Sequence, residues 1–192
     1  MTTVWFVRHA QRRRGWGDDR TCPLSDEGLA DRALLLELMR DAPVDAFWCS
    51  PFCRSVQTIE PAAAFFGLPI RTDERFRERQ SGPMGNNREL FRRRWSDFSW
   101  HEPGGECLGD VQARNIAALF DVLDAHPGET VVLGTHGTAL STMLNHFNPS
   151  FGCDDYLRII DWMPYVLKAA FDGHELAELT EVGHVEKPFI VP

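Results

Sequence analysis

Two histidines, a few arginines and one glutamate are spaced so that they can do phosphoryl chemistry together. Arg8-His9-Ala10 follows the apolar run Val4-Trp5-Phe6-Val7, and Thr135-His136-Gly137 closes the run Thr130-Val131-Val132-Leu133-Gly134. Arg54 lies just past a third run, in Cys49-Ser50-Pro51-Phe52-Cys53-Arg54. Open α/β sheets hold ligands at the carboxyl ends of their strands, so these groups predict a pocket for a phosphate dianion. A phosphate ester repels nucleophiles; its catalyst must neutralise the oxygens, present an in-line nucleophile and protonate the leaving alkoxide. Neutral His9 can attack through one ring nitrogen if the other donates to a backbone carbonyl. Arg8 and Arg54 can grip equatorial oxygens with their guanidinium forks, and His136 can donate as charge builds. Glu78, in Arg75-Phe76-Arg77-Glu78-Arg79-Gln80-Ser81-Gly82, is the candidate proton donor, with Glu74 close by. This set requires no metal or organic cofactor. His101, His126, His146, His174 and His184 lack metal-ligand spacing.

The elements that must position these groups alternate between strand and helix. Val4–Val7, Val44–Cys49, Leu68–Thr72 and Thr130–Thr135 read as strands, and Tyr165–Phe171, Asp172-Gly173, Leu176–Leu179 as a hairpin. Ser25 caps a helix with Asp26 and Glu27 in its first turn and Leu29, Ala33, Leu36 and Met39 on one inward face. Ser50-Pro51 suits a helix start, Gly67 its end, and Pro61 should kink or break that helix. Further helices are expected over about 106–125, with Ile116, Leu119, Phe120 and Leu123 inward, and about 138–147. The alternation predicts a mostly parallel sheet with helices on both faces, and one antiparallel strand or hairpin. Residues 10–24 read as a polar loop. Residues 73–105 follow no period and read as an insertion or lid over the strand ends, within a single domain spanning 1–192.

Composition narrows the partners. The net charge of −8 argues against nucleic acid and anionic membranes. Residues 1–94 carry +3 and residues 95–192 carry −11, so an acidic chain can still present a basic pocket; 18 of its 20 basic side chains are arginine. Five cysteines without C-x-x-C spacing read as reduced thiols in a cytoplasmic protein. Neither a signal peptide nor a run of membrane-spanning length is visible.

In order along the chain, Arg8-His9-Ala10, Ser50-Pro51-x-x-Arg54, a glutamate at 78 before a glycine, Gly105-Glu106 opening a helix, and Thr135-His136-Gly137 resemble the histidine phosphatase superfamily, which includes phosphatases and cofactor-dependent phosphoglycerate mutases. The resemblance spans about residues 3–147. It implies a three-layer α/β/α sandwich and a phosphohistidine intermediate, with His9 as nucleophile, Arg8 and Arg54 on the phosphate, His136 as second pocket histidine and Glu78 as proton donor. Family members carry Gly after the first histidine, then a hydroxyl and an amide in the loop; here the loop is Ala10-Gln11-Arg12-Arg13-Arg14-Gly15. Arg12 is a candidate replacement contact. The expected activity is hydrolysis of a small phosphorylated metabolite. Alternatives are phosphoglycerate mutase-type transfer, with a second anion site from the Arg-rich segment 71–94, a silent module binding phospho-ligands or protein, and a protein phosphohistidine phosphatase.

Overall fold

The fold is described from a computed structural model over residues 1–188. Six strands, β1 (Thr2–Arg8), β2 (Ala46–Cys49), β3 (Ile70–Thr72), β4 (Thr130–Thr135), β5 (Trp162–Asp172) and β6 (Glu175–Glu186), form one sheet in the order β3-β2-β4-β1-β5-β6. The pairs β1–β4, β2–β4 and β2–β3 are parallel, and the β5–β6 hairpin adds antiparallel to β1. The hairpin turns at Gly173, whose φ of +58° suits a residue without Cβ.

Both faces of the sheet are covered, as its apolar strands require. Val4, Phe6, Val131 and Leu133 face one core, under α5 (Leu108–Ala125) and α6 (Gly137–Phe147). The alternate residues Trp5, Val7 and Val132 face another, under α2 (Ala33–Met39) and α3 (Cys53–Phe66). This is the expected three-layer α/β/α sandwich. Completing it are α1 (Asp26–Asp31), α4 (Arg88–Ser96) and α7 (Cys153–Arg158). Aromatic contacts of Tyr156 with Phe91 and Trp95 join α7 to α4.

Several local expectations are corrected. The helix begun by Ser25 breaks at Arg32, which restarts the phase: Leu35 and Met39 are buried, whereas Leu29 and Ala33 are exposed and Leu36 is half-buried. Phe120 is also only half-buried, stacked on His174 with ring centroids 4.0 Å apart. Ser50-Pro51 does not start α3; Phe52 is its N-cap, without a side-chain cap. Pro61 does not break α3, because the carbonyl it deprives of a partner, on Gln57, accepts from Arg32 Nη1 at 2.8 Å. Residues 73–105 contain a 3₁₀ turn at Glu74–Phe76 and α4. Among the described residues no helix is long and apolar enough to cross a membrane. The five cysteines are unpaired, with Cys22, Cys49 and Cys107 buried.

Candidate active site

Three adjacent strand ends build the site. Arg8 pairs in register with Thr135, and Cys49 with Gly134, so His9, Ser50 and His136 emerge side by side past β1, β2 and β4. Main-chain bonds fix the exits: His9 N–H donates to Thr135 O (3.1 Å) and Ser50 N–H to Gly134 O (2.9 Å). Gly134 is required, since a Cβ there would lie 2.6 Å from Cys49 Sγ. The rings of His9 and His136 meet edge to face with centroids 5.2 Å apart.

The hydrogen bonds assign the proton of His9. His9 Nδ1 faces Ala10 O at 2.6 Å; a carbonyl only accepts, so Nδ1 carries the hydrogen and Nε2 keeps its lone pair. Arg54 Nε–H donates to that Nε2 at 3.2 Å. Ser50 Oγ accepts from Phe52 N–H (3.3 Å) and shares a hydrogen bond with His136 Nε2 (2.7 Å). His136 Nδ1 is buried with no partner. Burial, with Arg54 and then Arg8 close by, holds His9 well below the usual histidine range. Burial, then Arg54 and His9, do the same for His136. Both rings are neutral at pH 7.

Arg8 and Arg54 are buried here, but not with free forks. Arg8 donates through Nη1 to Ile159 O (2.6 Å) and Nη2 to Ile160 O (3.0 Å), while its Nε–H is buried and unpartnered. Arg54 gives Nη1 to Asp19 O (2.5 Å) and Nη2 to Asp19 Oδ2 (3.2 Å). Each guanidinium is pre-oriented by protein acceptors, with two or more of its five N–H bonds left over.

Glu78 reaches the same cavity. Its Oε1 accepts from the backbone N–H of Arg79 (2.8 Å) and Ala139 (3.1 Å), and Oε2 from that of Thr138 (3.0 Å). His136, the N-cap of α6, offers no side-chain cap, so the Glu78 carboxylate supplies it at the positive end of the helix. Glu74 instead pairs with Arg20 on the exposed surface. Arg12 stands at the cavity wall, half-exposed, with Nη1 on Asp19 Oδ1 at 2.9 Å. The cavity is about 100 Å³ and is lined by Arg8, His9, Arg12, Arg54 and Glu78, with His136 directly behind His9. Asp19, Arg79, Ser81, Asn86, Thr138 and Tyr156 also line it. Among the described residues no group of three or more His, Cys, Asp or Glu side chains is arranged to hold a metal ion.

Sequence reasoning missed Ser50, Asp19 and Tyr156. Ser50 had a signal, since it follows its strand as His9 follows β1, but its pairing with Pro51 read as a cap. Asp19 sits in a polar loop without a pattern. Tyr156 lies on α7, a helix of only six residues for which no element was expected.

This sheet, with two histidines at neighbouring strand ends, defines a class: the chain belongs to the histidine phosphatase superfamily (branch 1), whose family model matches residues 4–159. Among its relatives is the uncharacterized phosphatase PhoE of Bacillus subtilis, 28% identical over 155 residues, covering 77% of this chain and 78% of that one. The probable phosphoglycerate mutase GpmB of Yersinia pestis is 28% identical over 163 residues, covering 76% and 74%. The solved structure of Bacillus stearothermophilus YhfR superimposes with a TM-score of 0.79 at 25% identity, covering 97% of this chain and 98% of that one.

Proposed function

We propose that the chain is a phosphatase that hydrolyses a small phosphomonoester through phosphorylated His9. One observation carries this reading: two buried nitrogens without partners, Arg8 Nε–H and His136 Nδ1, lie beside a cavity-lining histidine whose Nε2 is already held by Arg54 Nε–H, the donor a phosphoryl oxygen would take over. A buried unmade hydrogen bond costs about 1–3 kcal/mol, and an oxyanion would relieve Arg8 Nε–H and, in its Nδ1–H tautomer, His136.

In the proposed cycle His9 Nε2 attacks phosphorus as the ester P–O bond breaks. The departing oxygen takes the bonding pair and a proton from the Glu78 carboxyl. Water then attacks the phosphorus of phospho-His9 and gives a proton to the Glu78 carboxylate; the N–P bond breaks and inorganic phosphate leaves. Arg8, Arg54 and His136 Nδ1–H hold the equatorial oxygens, and Arg12 contacts the ester at the rim. Residues 73–105 act as the insertion that roofs this site in a single domain. Unpaired cysteines fit a reducing compartment such as the cytoplasm.

A relative named as a probable mutase gives phosphoryl transfer back to substrate a place as second reading. That reaction needs a second anion site, and the arginines of 71–94 nearest the cavity are engaged: Arg77 with Glu106, Arg79 and Arg94 with Glu102. This favours water as acceptor. A silent module is the weakest reading, because the nucleophile, arginines, second histidine and carboxylate are all present.

The test is release of phosphate from a panel of phosphomonoesters. His9→Ala should abolish turnover, and Glu78→Gln should slow it at least about a hundredfold while an acid-labile phosphoenzyme accumulates. Full activity of His9→Ala overturns the reading. Isomer exchange between monophosphoglycerates without phosphate release would establish the mutase instead.

A further inference from the structure

We propose that Asp19 is a specificity-determining residue that turns the site against esters whose leaving group carries a second negative charge. The inference rests on the reading of His9 as the phosphoryl acceptor. Asp19 places a carboxylate on the guanidinium that also touches the nucleophile. Its Oδ2 accepts from Arg54 Nη2 at 3.2 Å and its Oδ1 from Arg12 Nη1 at 2.9 Å, while its backbone oxygen takes Arg54 Nη1. The phosphoryl group must therefore share Arg54 with an anion already present.

The leaving group meets the same carboxylate. The inner cavity borders an outer one of about 350 Å³, and the two share Asp19, Glu78, Arg79 and Ser81. A leaving group that extends from the inner cavity into the outer one meets Asp19 and Glu78, which line both. The outer cavity also has arginines on its wall, but each already has an acidic partner: Arg20 with Glu74, Arg77 with Glu106 at 2.9 Å, Arg79 with Glu102 at 2.7 Å. A carboxylate on the substrate would face Asp19 and Glu78, with Asp18 on the same wall, without an uncommitted cation beside them, and like charges at close quarters repel. A neutral or cationic leaving group meets no such opposition. The outer wall thus selects by charge, and the polar loop 10–24 supplies the selecting residue.

Three two-carbon esters of nearly equal size separate charge from shape: 2-hydroxyethyl phosphate, phosphoethanolamine and phosphoglycolate. The wild-type protein should bind phosphoglycolate at least tenfold more weakly than either of the others by calorimetric titration, with kcat/KM in the same order. Asp19→Asn should close most of that gap and tighten binding of inorganic phosphate at least fivefold, whereas Asp19→Glu should preserve the discrimination. Equal or tighter binding of phosphoglycolate by the wild type overturns the proposal, as does an unchanged gap in Asp19→Asn with fold intact by circular dichroism. Discrimination among bound esters without turnover would remove the hydrolytic reading and leave the charge selection standing. Failure of the wild type to bind inorganic phosphate or any of the three esters would remove both.

Discussion

At the scale of the residue, different hydrogen-bond partners distinguish two buried imidazoles. His9 and His136 are both neutral and buried, yet their polar partners differ: Ala10 O faces Nδ1 of one ring and holds its hydrogen there, whereas Ser50 Oγ faces Nε2 of the other. Both are held well below 6.5, chiefly by burial and secondarily by Arg54. A lowered histidine value means that the ring stays unprotonated as pH falls through 6.5 and takes its proton only further down. In the ligand-free protein the ring resonances of His9 and His136 should therefore stay constant between pH 8 and 6.5. A midpoint near 6.5 for His9 in an NMR titration would contradict the buried, arginine-flanked site. The residue types carrying most of this chemistry were legible from order along the chain, because each stands one to five residues past an apolar run. Ser50 and Asp19 were not, because a hydroxyl before proline and an acid in a polar loop each have commonplace roles, and only the strand register shows what they touch.

At the scale of the element, strands were easier to read than helix faces. A strand buried on both sides announces itself by continuous apolar residues, as in Val131-Val132-Leu133, and β-pairing then fixes which residues end together. A helix face depends on unbroken phase. The turn at Arg32 resets that phase, and Gly28 packs so tightly that a Cβ would lie 2.2 Å from Gln11 O, a constraint unseen in periodicity. The same arginine explains why Pro61 is tolerated in α3. Arg32→Ala strips the Gln57 carbonyl of its donor and should cost about 1–2 kcal/mol in urea unfolding. In a Pro61→Ala background the alanine N–H can serve that carbonyl, so Arg32→Ala should cost less by about 0.5 kcal/mol or more. Equal costs in the two backgrounds would mean that Arg32 acts by another route, such as its 3.7 Å approach to Glu60.

At the scale of the whole molecule, the charge asymmetry becomes internal pairing across the fold. The basic first half sends Arg8, Arg12 and Arg54 to the cavity, while Arg77, Arg79 and Arg94 meet Glu102 and Glu106 from the acidic half. Glu102 is fully buried and accepts from Arg79 Nη2 (2.7 Å), Arg94 Nη2 (2.8 Å) and Gly82 N–H (3.1 Å). Burial alone would raise this carboxyl, but the two arginines outweigh it and hold it at about 2. The sign follows from that depression. The unfolded chain takes up a proton near pH 4.5 and the folded one only near 2, so the contribution is complete above about pH 5 and fades as pH falls through that window. Glu102→Gln leaves two buried guanidiniums without their counter-charge, which should cost about 3 kcal/mol or more, or roughly 6–12 °C in Tm for a chain of this size. Thermal melts of wild type and variant should keep a constant separation between pH 7 and 5, then converge as pH drops below 4.5. A separation that persists undiminished to the acid limit of folding would show that the loss comes from packing at Gly82 and Gly105, which crowd the same side chain, and not from charge.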